Sequence, residues 1–120
     1  MQRTVLIVDD YAPFRRLARR LLEAGGFNVV GEAAAGASAL AAVVELQPQI
    51  VLLDVLLPDM HGLAVAERIA ALPNPPQVVL TSSREAAEFG TRLEQARASG
   101  FIQKDELSAG ALCAVASDEL

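Results

Sequence analysis

The sequence has few of the residues that build disulfide, zinc and redox sites. Among its 120 residues there are one cysteine, one histidine and no tryptophan. Cys113 cannot form an internal disulfide on its own, and it has no cysteine or histidine partner at metal-ligand spacing. These shortages exclude a disulfide scaffold, a zinc centre and a dithiol redox centre.

The chain also lacks an excess of positive charge and long apolar runs. Fifteen acidic against ten basic residues give a formal charge of −5, which disfavours binding to nucleic-acid phosphates. No apolar run approaches the ~18–20 residues of a membrane-spanning helix, and residues 1–10 do not have the pattern of a secretory signal. We therefore expect a cytoplasmic protein that binds neither nucleic acid nor membranes, with residues 1–120 forming one domain.

Two kinds of apolar pattern alternate along the chain. Short continuous apolar or β-branched runs indicate strands buried on both faces, and apolar residues spaced at i, i+3, i+4 and i+7 indicate helices. The predicted strands are 4–8, 27–32, 50–53, 78–81 and 101–103. The predicted helices are 13 to the stop at the glycines 25 and 26, 38–46, 63–71, 85–99 and 107–116.

This alternation predicts five βα units. Parallel strands need helical crossovers, and right-handed crossovers onto both faces give an open doubly wound sheet. We therefore predict an α/β fold with a single five-stranded parallel sheet and helices on both faces. Gly90 interrupts the fourth predicted helix at a cost of about 1 kcal/mol relative to alanine.

Polar side chains follow four of the predicted strands where each strand ends. Open α/β sheets bind their ligands outside the carboxyl ends of the strands. The polar residues there are Asp9, Asp10, Asp54, Thr81, Ser82 and Lys104. Taken singly, each has an ordinary explanation as a turn, cap or loop residue. Lys104 is more informative, because it is the one lysine beside nine arginines and its ammonium is a compact point charge.

Taken together, these side chains favour a cation site. Two unit charges ~4 Å apart interact by roughly 4 kcal/mol at an effective dielectric constant of about 20, so three converging aspartates would repel one another without a cation. Magnesium suits such a site, because it binds one or two carboxylates and keeps positions for phosphate oxygens. A carboxylate can attack phosphorus, a lysine can neutralise phosphoryl oxygens and a serine can donate to one. The pattern predicts magnesium-dependent phosphoryl chemistry.

With these residues in view, the sequence resembles the receiver domains of bacterial two-component response regulators, which have a CheY-like fold. The resemblance covers essentially the whole chain. Its motifs are VDD at 8–10, LLDVLLPDMHG at 52–62, LTS at 80–82 and GFIQK at 100–104. It implies a phosphoacceptor that phosphorylates and dephosphorylates itself and is not a turnover enzyme. A sensor histidine kinase or phosphotransfer protein would be the donor.

The resemblance also implies the roles of the acidic residues. Asp54 is expected to accept the phosphoryl group from a phosphohistidine. Asp10 would be a direct magnesium ligand, with Asp9 bound more remotely and Asp54 completing the acidic set. Leu56 would contribute its backbone carbonyl to the metal.

A second set of residues would relay the change. Ser82 is expected to be the hydroxyl that responds to the phosphoryl group, because its 22-residue separation from Lys104 matches the family's usual spacing; Thr81 is the minority alternative. Phe101 falls at the family's switch aromatic, although a core phenylalanine explains it equally well. Arg84 would flank the phosphoryl group, as would the residue at position 56. The output face would be that of the fourth helix, fifth strand and fifth helix.

The first predicted helix carries four arginines opposite its apolar stripe, at 15, 16, 19 and 20. A solvated helix face is the common explanation, and the resemblance suggests a patch that steers docking of the kinase. After the fifth helix there is no room for a DNA-binding domain, so we expect output through a protein partner, a phosphorelay or a homodimer. A receiver cut from a longer regulator would have the same sequence pattern.

Three alternative functions share part of the pattern. A phosphatase of the haloacid dehalogenase type uses similar residues, but that family has its nucleophilic aspartate on the first strand and its acidic pair last. A flavodoxin-like redox protein needs a phosphate-binding loop after the first strand, where Asp9, Asp10 and Tyr11 would repel phosphate. The third alternative is a receiver-like protein-binding module that works without phosphorylation. The complete acidic set and Lys104 weigh against it.

Overall fold

The computed structural model describes residues 2–84, 86–89 and 91–116 and contains the predicted parallel sheet. Its strands are β1 (Thr4–Val8), β2 (Asn28–Ala33), β3 (Ile50–Asp54), β4 (Gln77–Ser82) and β5 (Gly100–Gln103). They form one sheet in the order β2-β1-β3-β4-β5, and every neighbouring pair is parallel. The fold class is therefore confirmed, because non-consecutive neighbours in a parallel sheet require crossovers.

Helices cover both faces of this sheet. They are α1 (Ala12–Ala24), α2 (Gly36–Leu46), α3 (Gly62–Ala70), the single turn α4 (Arg92–Gln95) and α5 (Ala109–Val115). Two 3₁₀ helices, Ala86–Phe89 and Lys104–Glu106, lie between them. No helix in the described part of the chain is long and apolar enough to span a membrane.

The core lies in two layers, one on each side of the sheet. Successive strand side chains point to opposite faces, so Val5 and Ile7 pack in one layer with α1 and α5. Leu6 and Val8 pack in the other layer, which contains the buried residues of α2 and α3. Burial on both faces explains why the central strands are continuous apolar runs without alternation.

Most helix ends lie within two residues of their predicted positions. Proline in the first turn of α1 has a preset φ, and the chain turns at Gly26, where φ is +97°. The fifth helix begins at Ala109 instead of position 107, because the Ser108 hydroxyl caps it by accepting from the Ala111 N–H at 2.9 Å. The second helix begins earlier than predicted, at Gly36. There the carboxylate of Asp59, from a loop distant in the sequence, accepts hydrogen bonds from the first N–H groups of the helix.

The predicted helix over 85–99 is wrong in the described residues. Two separate turns, Ala86–Phe89 and α4, replace it, and Glu85 and Gly90 lie outside the described residues. The backbone is extended at Ala96 (φ −73°, ψ 145°), and the Ser99 N–H donates to the Val78 carbonyl at 2.7 Å. The small side chains of Ala96 and Ala98 bury little apolar area, so pairing with β4 prevails over continuing the helix.

Candidate functional site

The sequence-predicted site residues meet at the carboxyl edge of the sheet. Asp9 follows β1, Asp54 is the last residue of β3, and Lys104 directly follows β5. In the register of β3 and β4, Asp54 is paired with Thr81, one residue before the end of β4. The strand ends therefore place these side chains beside one another, as predicted.

Three carboxylates form the floor of the site. Asp9 is fully buried, Asp54 is buried and Asp10 is exposed, and one oxygen from each lies within 4.8 Å of the others. One oxygen of each buried carboxylate has a backbone donor: Asp9 Oδ1 accepts from the Tyr11 N–H at 2.9 Å and Asp54 Oδ1 from the Leu56 N–H at 3.1 Å. The second oxygens face the interior of the cluster.

Lys104 supplies the positive charge of the cluster. Its Nζ lies 2.5 Å from Asp9 Oδ2 and donates to Asp54 Oδ2 at 3.2 Å. The same ammonium lies 4.7 Å from the centre of the Phe14 ring, a cation–π distance. One ammonium against three carboxylates leaves a formal charge of −2, which is the charge that one divalent cation would neutralise.

The donor set fits a hard divalent cation. Asp9 Oδ2 is buried and accepts no hydrogen bond from the described residues. Its short contact with Lys104 is an ion pair whose angles miss those of a hydrogen bond. An acidic oxygen with an unsatisfied lone pair is costly to bury, and all the candidate ligands are oxygens, the type that magnesium prefers. The residues present therefore suit magnesium.

Burial changes the acid–base behaviour of this pair. Burial raises the pKa of Asp54, and the charge of Asp9 adds to the effect, while the Leu56 N–H and Lys104 oppose it. For Lys104, burial favours the neutral amine, but the close ion pair with Asp9 and the charge of Asp54 outweigh it and raise its pKa. The ammonium is therefore charged at neutral pH, and a cation beside Asp54 would favour its ionised form.

Both candidate hydroxyls are buried at the end of β4. Ser82 Oγ accepts from the Arg84 N–H at 3.1 Å, whereas Thr81 Oγ1 has no hydrogen-bond partner in the described residues. Because the two residues are adjacent in a strand, their side chains point to opposite faces of the sheet. The assignment of Ser82 stays a prediction, and Thr81 stays its alternative.

Phe101 lies in the layer of α2 and α3. It is half-buried, is paired with Leu80 in the register of β4 and β5, and its ring centre lies 6.2 Å from that of Phe89 at an interplanar angle of 58°. A tilted pair of this kind is a normal core contact. The packing is compatible with both explanations of Phe101, a switch aromatic and a core phenylalanine.

Leu56 and Arg84 were expected to flank the phosphoryl group, and both side chains are exposed.

The predicted basic patch on α1 is partly neutralised. Arg15 and Arg19 both pair with Glu32, at 3.0 and 2.8 Å, and Arg15 also donates to the Asp9 carbonyl at 2.6 Å. The hydrogen bond from Arg19, with that from Arg15, lowers the pKa of Glu32. Arg16 and Arg20 are exposed and make no such pair with the described residues. Only these two keep the solvated charge that the sequence predicted for four.

An open groove borders the cluster on the α1 side. Its volume is about 470 Å³, and Tyr11 and Leu17 in its wall are 63% and 46% exposed. Lys104 belongs both to the groove and to the buried cluster. The lining residues are Tyr11, Pro13, Phe14, Leu17, Ser83 and Lys104.

Sequence reasoning missed three residues near the site. Phe14 has the spacing of a core residue of α1, and no local sequence signal indicates its contact with Lys104. Asp59 follows a proline and has the local pattern of a turn, but its partners are 22 and 23 residues away. His61 caps α3 by accepting from the Leu63 N–H at 3.2 Å. A cap three residues after Pro58 is the one signal that the sequence offered for it.

Comparison with known proteins gives a consistent result. Residues 5–116 match the profile of the response regulator receiver domain. The chain is 37% identical to the response regulator GacA of Pseudomonas protegens over 101 residues, which are 83% of this chain and 47% of GacA. It also spans 49% and 51% of two other curated relatives, so it covers about half of their length.

Solved structures agree with the sequence match. The signal receiver domain of NarL from Mycobacterium tuberculosis has a TM-score of 0.84 at 33% identity, covering 95% of this chain and 96% of that one. A CheY-like receiver domain from Methylobacillus flagellatus has a TM-score of 0.83 at 26% identity, with 96% of each chain covered. The sheet order and the acidic edge described above belong to the region that these comparisons cover.

Proposed function

The chain belongs to the family of response regulator receiver domains, and from that membership we propose that it is a phosphoacceptor switch of a two-component phosphorelay. The family consists of signalling switches and not of classical turnover enzymes. We further propose that residues 1–120 form one cytoplasmic receiver domain. The observation that carries the proposal is the buried Asp54 carboxylate, held between a backbone N–H and the Lys104 ammonium.

Asp54 is the proposed acceptor. A carboxylate oxygen of Asp54 attacks the phosphorus of a phosphohistidine donor; a P–O bond forms, the P–N bond breaks, and the imidazole nitrogen leaves with the electron pair. Lys104, at 3.2 Å from Asp54 Oδ2, is close enough to neutralise an oxygen of the incoming group. Attack of water on the same phosphorus later returns Asp54 to its free form.

The acidic set is the proposed magnesium site. Asp9, Asp10 and Asp54, with the Leu56 carbonyl, would hold the cation. When bound, magnesium neutralises the charge of the carboxylates and of the phosphoryl oxygens. The formal charge of −2 and the unsatisfied Asp9 Oδ2 support this assignment.

A hydroxyl at the end of β4 would sense the phosphoryl group. Ser82 currently accepts from the Arg84 N–H, so its own proton is free to be donated to a phosphoryl oxygen. Phe101 lies in the same core layer as Leu80, the residue before Thr81, and would pass the change to the face of α4, β5 and α5. Thr81 is the alternative sensor.

The groove beside Lys104 and the exposed arginines of α1 are the proposed docking surface for a sensor kinase or phosphotransfer protein. Tyr11 and Leu17 offer apolar contact, and Arg16 and Arg20 offer charge that would steer an acidic partner. The double substitution Arg16→Gln and Arg20→Gln should slow transfer from a phosphorylated kinase and leave reaction with acetyl phosphate unchanged. Equal slowing with both donors would contradict this role. Output would pass to a protein partner or a homodimer.

Intact-mass analysis after incubation with acetyl phosphate tests the function. We expect the wild type to gain one phosphoryl group only when magnesium is present, and Asp54→Asn to gain none. Asp105→Asn, an exposed acid beside Lys104, is the matched control and should react like the wild type. No gain by a folded wild type would instead support the phosphorylation-independent binding module.

A further inference from the structure

Asp59 caps a helix that is distant from it in the sequence. Helix α2 begins at Gly36, and its N-cap position is Ala35, whose side chain has no acceptor. The first amides of a helix need partners from outside it. Asp59 supplies both: Oδ1 accepts from the Gly36 N–H at 2.7 Å and Oδ2 from the Ala37 N–H at 3.0 Å. These backbone bonds lower the pKa of Asp59, so it is ionised at neutral pH.

Apolar packing reinforces this contact. A Cβ on Gly36 would lie 2.7 Å from Met60 Sδ and 3.0 Å from Val65 Cγ2, both tighter than normal contact. The absence of a side chain at Gly36 therefore lets the segment after β3 come close to α2. The start of α2 and the residue next to Asp59 are fitted together by both polar and apolar contacts.

The same loop leads back to the candidate cation site. Residues 55–61 connect β3 to α3, and the Leu56 N–H bonds to Asp54 while Leu56 and His61 form an isolated bridge. Just before α2 in the sequence, strand β2 ends at Ala33, whose carbonyl accepts a hydrogen bond from the Asp9 N–H at 3.0 Å. The bonds of Asp59 to the start of α2 therefore connect the loop of Leu56 to the segment that follows Ala33, the residue bonded to the Asp9 backbone.

We propose that Asp59 is a positioning residue for the cation site, which holds the 55–61 loop against α2 and so fixes the Leu56 carbonyl as a ligand. This inference rests on the proposed function. A carbonyl ligand has no rotamer of its own, so its direction depends on the loop that carries it. Sites need their ligands held to within about 0.5 Å of the productive geometry, and Asp59 is the side chain through which this loop accepts hydrogen bonds from the first amides of α2.

A magnesium titration followed by NMR of the backbone amides tests the proposal. We expect Asp59→Ala to raise the Kd for magnesium about tenfold, the lower end of the loss caused by removing an outer partner of a metal ligand. Asp59→Asn should have a smaller effect, because its amide oxygen can still accept one helix N–H. In both variants the Leu56 amide should exchange with solvent faster than in the wild type.

Ser38→Ala is the matched control. Ser38 is exposed at the same helix end, and its hydroxyl donates to the Ala35 carbonyl of its own segment at 3.1 Å and not to the 55–61 loop. It should leave the Kd unchanged even if it lowers the stability of α2. An unchanged Kd in Asp59→Ala and Asp59→Asn, or an equal rise in Ser38→Ala, would show that Asp59 only caps a helix. A wild type that binds no magnesium would instead overturn the proposed function, and this inference with it.

Discussion

The two connections that flank Asp54 are held in different ways. The loop 55–61 is tied by polar contacts: the Leu56 N–H to Asp54, the Gly62 N–H to the Val55 carbonyl at 2.6 Å, and Asp59 to α2. The connection from β4 to β5 is built in its described part from two short helical turns that pack through Phe89 and Leu93, and its bond to β4 comes at its far end, from the Ser99 N–H to the Val78 carbonyl. Hydrogen bonds weaken steeply away from a preferred distance and angle, whereas apolar attraction has no preferred direction. The first connection therefore has the geometry that the proposed metal-ligand role needs, and the second has the less directional contacts that the proposed relay would use.

The strongest test of this comparison is Gly62→Ala. Its Cβ would overlap the Asp54 carbonyl and lie 2.7 Å from Val55 Cα, and backbone atoms cannot rotate away. We expect a loss of about 1–3 kcal/mol of unfolding free energy, as for other over-packed sites, together with weaker magnesium binding. Urea unfolding and the magnesium titration measure the two effects.

The counterpart at the end of the second connection is Gly100→Ala, at the first residue of β5. There a Cβ would lie 2.6 Å from Val115 Cγ1, which belongs to a side chain that can change rotamer. Gly100→Ala should lower the unfolding free energy less than Gly62→Ala does, and it should leave the Kd for magnesium unchanged. An equal or greater loss of unfolding free energy in Gly100→Ala would contradict the comparison of the two connections.

Lys104→Met removes the ammonium that pairs with both Asp9 and Asp54. It leaves Asp9 and Asp54 buried without their cationic partner, and breaking a buried pair in this way costs on the order of 3 kcal/mol. We expect this loss of unfolding free energy in magnesium-free buffer and a partial recovery of it when magnesium is added. Lys104→Arg keeps the charge and should lose less unfolding free energy. If Lys104→Met were as stable as the wild type without magnesium, the electrostatic explanation would be refuted.

Arg92→Gln should have the smallest effect. Arg92 lies 3.3 Å from His61 Nε2, but His61 Nδ1 already accepts from Leu63, so the neutral ring carries its proton on Nε2 and cannot also accept there. We expect a stability change below about 0.5 kcal/mol, as for most exposed substitutions. A larger loss would show that this contact joins the two connections more tightly than its geometry allows.

The same variant has a pH signature. Burial and the charge of Arg92 lower the pKa of His61. A lowered pKa contributes stability that is present above the unfolded value of about 6.5 and is lost as pH falls through the folded value. Arg92→Gln should move the His61 titration, followed by NMR, upwards and weaken this pH dependence. An unmoved titration would leave burial as the sole cause.

The sequence predicted the sheet well because burial on both faces leaves a direct signal. Thr4–Val8 and the region around Asp54 are continuous apolar runs, and their bounds differ from the prediction by at most one residue. The convergence of Asp9, Asp54 and Lys104 followed from a topological rule about strand ends. What escaped prediction depends on distant partners: the start of α2 requires Asp59, and α4 is short because Ser99 bonds to β4.

The adjacent hydroxyls of Thr81 and Ser82, at the end of β4, lie on opposite faces of the sheet and so belong to different core layers. Val79, which shares its strand face with Thr81, packs with α1 and α5, while Leu80, which shares its face with Ser82, packs with Phe101 and the layer of α2 and α3. A displacement of the Ser82 side chain would therefore change the packing in the layer of α2 and α3, and a displacement of the Thr81 side chain would change it in the layer of α1 and α5. If the proposed sensor is Ser82, the change reaches the layer of α2 and α3; if it is Thr81, one residue earlier, the change reaches the layer of α1 and α5 on the opposite face of the sheet.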